Sequence, residues 1–479
     1  MPPLPTSDTP DSRDPPLVER IAPGMTAVDA WQKLLGWPHV VFFDSVTSTS
    51  PRGRYSFVAA DPFLWIESCD QAADHLGNLN RELLRYPSCA RSDLPPFQGG
   101  AAGLLGYELG AGLEPTTGTA RHDLPTPTLG MGLYDVVVAF DHHQQQAWLI
   151  SQGFPATDPP ARRERARQRL AQFRQRLAAP LSSASCPRVA TSSLPPDALV
   201  PQHSTSVPGV TSNFSPEQYL RTVNDAIEAI YAGELFQVNL AQRLLCPATL
   251  SSADLYLRLR TQNPAPFAGY LDLGAHQVCS ASPECFLTVR DRWVTTRPIK
   301  GTRGLWHRPE ADLFTGDLLR ASEKDRAENV MIVDLMRNDL SRVCQPDSVE
   351  VSQLCSIETF AFVKHLVSEV RGELADDGSP IDLLRACFPG GSITGAPKVR
   401  AMQMISQLEP TARGPYCGSL AYIGFDGQLD ANILIRTITA SSGWWQFPVG
   451  GGIVAQSRPA DEYQETWHKA RGLLAAIGC

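Results

Sequence analysis

At 479 residues, 43% of them hydrophobic, the chain is long enough for two domains or one large composite with a sizeable core. A net charge of −8 argues against nucleic acid, because phosphate binding needs concentrated Lys and Arg. No run of about 18 apolar residues could span a membrane, the polar N-terminus offers no signal sequence, and the eleven cysteines form no Cys-x-x-Cys pair; a cytoplasmic protein with reduced, mostly buried thiols is expected.

Residues 1–17 carry six prolines and read as a disordered tail. The first region, 18–179, holds short runs rich in Val and aromatics at 40–43, 55–58, 103–107, 136–140 and 147–150, which read as strands. The arginines of 162–176 (Arg162, Arg163, Arg165, Arg167, Arg169) read as one polar helix with a solvated face. Residues 180–213, rich in Ser, Pro and Thr, read as a linker or surface insertion. The remaining 214–479 is the expected catalytic domain. Ser215-Pro216-Glu217-Gln218 is a helix start, with Ser as cap, Pro at the first helical position and Gln three residues after the cap. Val223, Ile227 and Ile230 continue at helical spacing, and Gly233 stops the run. A strand then places Phe236, Val238 and Leu240 on one face, Gln237, Asn239 and Ala241 on the other. Helix and strand signals stay mixed to the C-terminus without a regular strand–helix repeat, which predicts an α+β fold.

Polar residues sit inside otherwise apolar segments of the C-terminal half. Glu284 lies between small residues just before a strand-like run, where, taken alone, it reads first as a loop carboxylate. Lys300 lies between Ile299 and Gly301-Thr302. Glycine permits close approach of a ligand, and a lysine in a partly apolar site can be held neutral for nucleophilic attack; alone, it also reads as an exposed turn lysine. One helix opens at Ser322-Glu323-Lys324-Asp325-Arg326-Ala327-Glu328-Asn329, another at Pro459-Ala460-Asp461-Glu462. On the second, Glu462, Glu465 and Lys469 share one face. Magnesium takes one or two carboxylates plus water and ligand oxygens, which Glu328 and Glu465 suit. The glycines from Gly390 to Gly395 resemble a phosphate loop, but Ala396-Pro397 stands where Lys-Ser or Lys-Thr is needed. Gly450-Gly451-Gly452 offers backbone N–H groups for a carboxylate; either run also reads as a tight turn. Spacing alone suggests a small-anion enzyme with an oxygen-ligated cation.

Together these segments resemble the chorismate-utilising family, which includes anthranilate, aminodeoxychorismate, isochorismate and salicylate synthases. The likeness runs from Phe214 to Gly478 and is strongest at Pro298-Ile299-Lys300-Gly301-Thr302, Ala327-Glu328-Asn329-Val330-Met331, Phe388 to Lys398, and Gly450 to Lys469. It implies a composite of two packed antiparallel sheets with outer helices and a substrate cleft between them. It also implies that Glu328 and Glu465, with Glu462 close by, hold Mg2+ against chorismate's ring carboxylate. Ser392, Tyr416, Arg436, Lys469 and the backbone at Gly450 and Gly452 match substrate-holding positions, His365 the active-site histidine, and Glu284 the general acid.

Two positions sort the members. Lys300 stands where anthranilate synthases usually have alanine, and lysine there is typical of the aminodeoxychorismate-forming members. Gln237 stands where isochorismate and salicylate synthases carry the lysine that activates water. Both imply amination of chorismate on the route to 4-aminobenzoate and folate, with anthranilate formation the nearest rival. The resemblance further implies ammonia from a glutamine amidotransferase subunit on a separate chain, since the nucleophile-and-histidine signature of that enzyme is missing here. Finally, Ser45, Arg54 and Tyr55, with Pro266, Phe267 and Ala268, resemble an aromatic amino acid pocket, implying a bound tryptophan. Asp44 there departs from the Leu-Glu-Ser form of feedback-inhibited relatives.

Overall fold

Alternating apolar residues make strands, and the strands build two sheets. The computed structural model describes residues 15–46, 53–70, 73–114, 120–181, 194–304, 316–359 and 363–479. Among these, one sheet has thirteen strands and the other ten, and the paired strands run antiparallel. All five apolar runs of the first region are strands, including Val41–Asp44, Tyr55–Ala59 and Gly100–Leu105. The first two join the larger sheet and the third the smaller, so this region contributes to both layers.

Three apolar layers hold the fold. Between the sheets pack Val41, Phe57, Val137 and Leu271 of one with Ala102, Leu104, Leu420 and Tyr422 of the other. The outer face of the larger sheet is covered by helices Ala27–Leu34, Pro159–Ala178, Ser252–Gln262 and Pro459–Ile477. There Trp31 stacks on Phe42 at 5.7 Å and meets Tyr256 and Tyr270 edge-on. Burying each such ring is worth roughly 1.5–3 kcal/mol. Helices Pro216–Tyr231, Glu323–Ser341, Pro380–Cys387 and Lys398–Leu408 pack on the other core, as the α+β reading requires.

Helix Pro216–Tyr231 starts as expected. Ser215 accepts from the Gln218 N–H while the Gln218 side chain accepts from the Ser215 N–H, a cap worth about 1 kcal/mol. The following strand corrects the alternation: it begins at Gln237, and Phe236, placed on the apolar face, is 71% exposed. The arginine helix is a second correction. Arg169 turns inward to Asp135 at 3.2 Å and Asp61 at 2.7 Å, and Arg162 donates to the Gln152 carbonyl at 2.7 Å. A buried acid in the bend between strands Leu129–Tyr134 and Val136–Asp141 outweighs solvation of that face at Arg169.

Leu17, assigned to the proline-rich tail, opens the strand Leu17–Arg20; residues 1–14 lie outside the described part. Of the expected linker, His203–Ser204 and Thr211–Ser212 extend the larger sheet beside Gln237–Pro247. Ten free cysteines are described, six of them buried, and none forms a disulfide; Cys186 lies outside the described residues. No described helix is long and apolar enough to cross a membrane.

Candidate active site

A cleft of about 520 Å³ opens where the two sheets and two helices meet. Strands Gln237–Pro247 and Trp444–Ile453 of the larger sheet face Ile299–Gly304 and Val363–Glu373 of the smaller one. Helices Glu323–Ser341 and Pro459–Ile477 close the sides. Its wall holds Glu284, Lys300, Glu328, His365, Ser392, Tyr416, Arg436, Gly450, Gly452, Glu465 and Lys469. Of the residues expected to act on substrate or metal, only Glu462 sits behind the wall.

Lys300 reaches the cleft through a bulge. The register with the neighbouring strand shifts between Lys300 and Thr302, and Gly301 takes φ +72°. A Cβ at Gly301 would come within 2.8 Å of Leu319, so the bulge that aims Lys300 inward needs glycine. Lys300 Nζ donates to the Ser392 carbonyl at 3.1 Å. Burial holds its ammonium below the ordinary lysine range, opposed by the carboxylates of Glu328 and Glu284. Glu284 is shifted the opposite way. Burial raises its carboxyl above the usual range, against the Ser392 hydroxyl and the charge on Lys300. A carboxyl shifted toward its protonated form and an amine shifted toward its neutral form are the pair that acid-assisted nucleophilic attack uses.

His365 lies on a strand, with its ring hydrogen-bonded to the Gly301 backbone. Burial, then the charge of Arg436, lower its pKa from 6.5 to about 4, so the ring is neutral at physiological pH. Between those values the unfolded chain binds a proton that the folded chain refuses. The stability contribution is therefore complete above 6.5 and is lost as pH falls toward 4. Its full extent is about 3 kcal/mol. Wild type should accordingly lose more stability than His365→Gln between about pH 7 and about pH 4.5. Urea midpoints at both pH values check this; equal losses would contradict it.

The opposite wall suits an anion. Arg436 adopts φ +54°, unusual for a side-chain-bearing residue, and its guanidinium donates to the Lys469 carbonyl. Burial lowers its pKa, so an arriving carboxylate would find a poorly solvated cation. Lys469 Nζ donates to the Gly450 carbonyl at 2.7 Å and pairs with Glu465 at 2.7 Å. Packing dictates glycine at 450, where a Cβ would lie 2.2 Å from the Leu240 carbonyl oxygen; a Cβ at Gly452 would lie 2.1 Å from Gln237 Nε2 and displace that side chain.

The carboxylates fit a magnesium ion that also takes oxygens from substrate and water. Glu328 and Glu465 project from facing helices, and Lys324 spans Glu328 at 3.9 Å and Glu462 at 3.4 Å. Glu462 is 4% exposed and accepts from Ser457 Oγ at 2.7 Å, which turns it away from the cleft. Among the described residues no three His, Cys, Asp or Glu side chains converge into a protein-only cage. Carboxylate oxygens alone, with positions left for water and substrate oxygens, suit magnesium better than zinc, which favours His and Cys donors. Burial raises the Glu328 carboxyl above its usual range against Lys300 and Lys324. At Glu465 burial is outweighed by Lys469, and the carboxyl is held below it.

Comparison with known proteins identifies the family and the fold. The family of chorismate binding enzymes matches residues 39–475. The chain belongs to that family. Anthranilate synthase component 1 of Streptomyces coelicolor is 38% identical over 95% of this chain and 86% of its own length. Aminodeoxychorismate synthase component 1 of Salmonella typhimurium is 38% identical over 91% and 92%. The crystal structure of anthranilate synthase component I from Streptococcus pneumoniae superposes with a TM-score of 0.74 at 30% identity, covering 88% of this chain and 92% of that one. This is therefore a chorismate-binding enzyme of the anthranilate and aminodeoxychorismate synthase component 1 kind.

A second cavity of this chorismate-binding enzyme, about 300 Å³, is lined by Ser45, Arg54, Tyr55, Pro266, Phe267 and Ala268. Asp44 lines it too, but its carboxylate is engaged by Arg260 at 2.8 Å and Tyr256 at 2.9 Å. The cleft also contains residues the sequence reading passes over: Lys324, Asn239 and Arg413. Glu409 and Arg413, four residues apart, were the available signal for the last, but such pairs are common on exposed helices.

Proposed function

We propose that the chain is aminodeoxychorismate synthase component 1, converting chorismate and ammonia to 4-amino-4-deoxychorismate and water in the cytoplasm for 4-aminobenzoate and folate synthesis. The observation that carries this reading is Lys300, aimed by its bulge into the chorismate cleft and held toward the neutral amine by burial. One aminodeoxychorismate synthase among its relatives, that of Salmonella typhimurium, matches it over 91% of the chain.

Arg436, Lys469 and the backbone at Gly450 and Gly452 take a substrate carboxylate, with Ser392 and Tyr416 bordering the ring. Glu328 and Glu465 would hold magnesium, with Glu462 behind them; when bound, the ion offsets the substrate's negative charge and orients it. Glu284 gives its proton to the C4 hydroxyl. The Lys300 lone pair attacks C2, both conjugated ring double bonds shift toward C4, and the hydroxyl leaves as water; the Lys300 nitrogen returns a proton to the Glu284 carboxylate, leaving a secondary amine. Ammonia then attacks C4, both double bonds shift back, Lys300 departs as the neutral amine with a proton from Glu284, and the new C4 ammonium returns a proton to Glu284. His365 stays neutral beside the Lys300–Gly301 turn. Gln237 supports amination over hydration, because an amide has no basic lone pair to activate water. Its own side-chain amide is buried beside Gly452 with no hydrogen-bond partner among the described residues.

Ammonia comes from a glutamine amidotransferase subunit on a separate chain. The experiment is to incubate the purified chain with chorismate, magnesium and excess ammonium and to identify the product. Accumulated 4-amino-4-deoxychorismate is expected; anthranilate with pyruvate would assign the rival activity, and isochorismate or salicylate would sink amination. The second cavity holds tryptophan, its ring among Tyr55, Pro266 and Phe267. Extracting the denatured protein should release the amino acid, and an extract without it, together with no binding of added tryptophan, would refute this.

A further inference from the structure

Arg413 lies five residues beyond the helix Lys398–Leu408 and reaches the cleft wall. Its Nε and Nη2 donate to the two oxygens of Glu409 at 2.9 and 2.6 Å. Nη1 also donates to the Ile393 carbonyl at 3.0 Å, and Nη2 to the Asn239 carbonyl at 2.9 Å. Glu409 in turn accepts the Ala241 N–H at 2.9 Å. The two side chains are 3% and 5% exposed. The guanidinium lies 4.7 Å from the ring centre of Tyr107 and 5.8 Å from that of Tyr416.

These partners belong to the surfaces that meet the substrate. Ile393 ends the short turn Gly391–Ile393, whose Ser392 carbonyl accepts from Lys300 and whose Ser392 hydroxyl bonds Glu284. Asn239 and Ala241 stand opposite Gly452 and Gly450 in the antiparallel ladder. The Asn239 side chain also donates to the Ser392 carbonyl at 3.2 Å. One planar fork thus ties the turn behind the nucleophile and the acid to the strand behind the glycines.

We propose that the Arg413–Glu409 pair is a positioning device. It sets the spacing between the Ser392 turn and the glycine-rich strand, and so aims Lys300 and Glu284 at the substrate. The inference rests on the chorismate reading of the cleft. A buried ion pair is seldom worth more to stability than apolar residues of the same volume, so its stabilising power alone does not account for it. Four acceptor atoms around one side chain call for a guanidinium; a lysine ammonium is a point charge that cannot span them.

The test compares Arg413→Lys with wild type, both assayed well below their melting temperatures and shown to be folded by circular dichroism. Chorismate loss is followed with magnesium and ammonium saturating. Arg436, Lys469 and the glycine strand still bind substrate in the variant, so KM should stay within about threefold. kcat should fall about 10- to 100-fold, the usual cost of a misplaced reacting group. A folded variant with wild-type kcat overturns the proposal, as does one whose loss lies wholly in KM. If Arg413→Lys does not fold, Glu409→Gln carries the same expectation, because it keeps an acceptor for the Ala241 N–H while removing the charge that fixes the fork; unchanged kcat there overturns it equally. A wild-type product other than 4-amino-4-deoxychorismate would sink the function proposed above and leave this comparison intact, since only rates of chorismate loss are compared.

Discussion

Lys300→Ala should eliminate any covalent protein–substrate adduct and lower ammonia-dependent turnover at least about a thousandfold, on the order of 4 kcal/mol of transition-state stabilisation. Lys300 Nζ and the Glu284 carboxyl converge on the same Ser392 residue, one on its carbonyl and the other on its hydroxyl. Loss of the amine removes the group that divides one difficult displacement into two easier ones. The fold should survive. Burial makes Lys300 harder to charge than in the unfolded chain, so at neutral pH the folded state carries a cost that alanine removes. The variant should therefore melt at the same temperature as wild type or slightly higher. Mass spectra of acid-quenched mixtures of protein and chorismate, without ammonium, read the adduct directly. An adduct that persists in Lys300→Ala would mean that another side chain is the nucleophile, and direct attack by ammonia would gain ground if wild type formed none.

How much of this was legible in sequence depends on how local each cause is. The cap at Ser215 and the apolar run Val136 to Phe140, which forms the strand Val136–Asp141, are read from neighbours in the chain, and both formed as expected. The cleft residues were recognisable because their motifs are long and come in a fixed order, which spacing alone does not supply. What was missed depends on distant partners. Arg169 points inward because Asp135 and Asp61 wait there, and helical periodicity holds no trace of either. Arg413 serves carbonyls at Ile393 and Asn239, far apart in the chain. Glu462 and Glu465 share a helical face by spacing. Ser457 and Lys324 nonetheless draw the first behind the wall, while the second stays 48% exposed toward the cleft.

That difference between two glutamates three residues apart leads to the other large effect. Glu465→Gln and Glu328→Gln should each raise the magnesium concentration for half-maximal turnover at least about tenfold, a loss of about 1.4 kcal/mol in ion binding. An amide keeps the shape and one oxygen but removes the charge that a hard divalent cation requires. Glu462→Gln should shift the requirement less, because its carboxylate is already committed to Ser457 and Lys324. Without the ion, Lys324 and Lys469 neutralise these carboxylates, so the variants should fold without magnesium much as wild type does. A direct titration of each protein with magnesium and chorismate separates ion binding from turnover. Chorismate affinity should fall with the ion's, since both anionic partners depend on the same charge. Unchanged titrations for Glu465→Gln would remove it from the metal site, and a Glu462→Gln effect as large as the others would bring that residue back to the cleft wall.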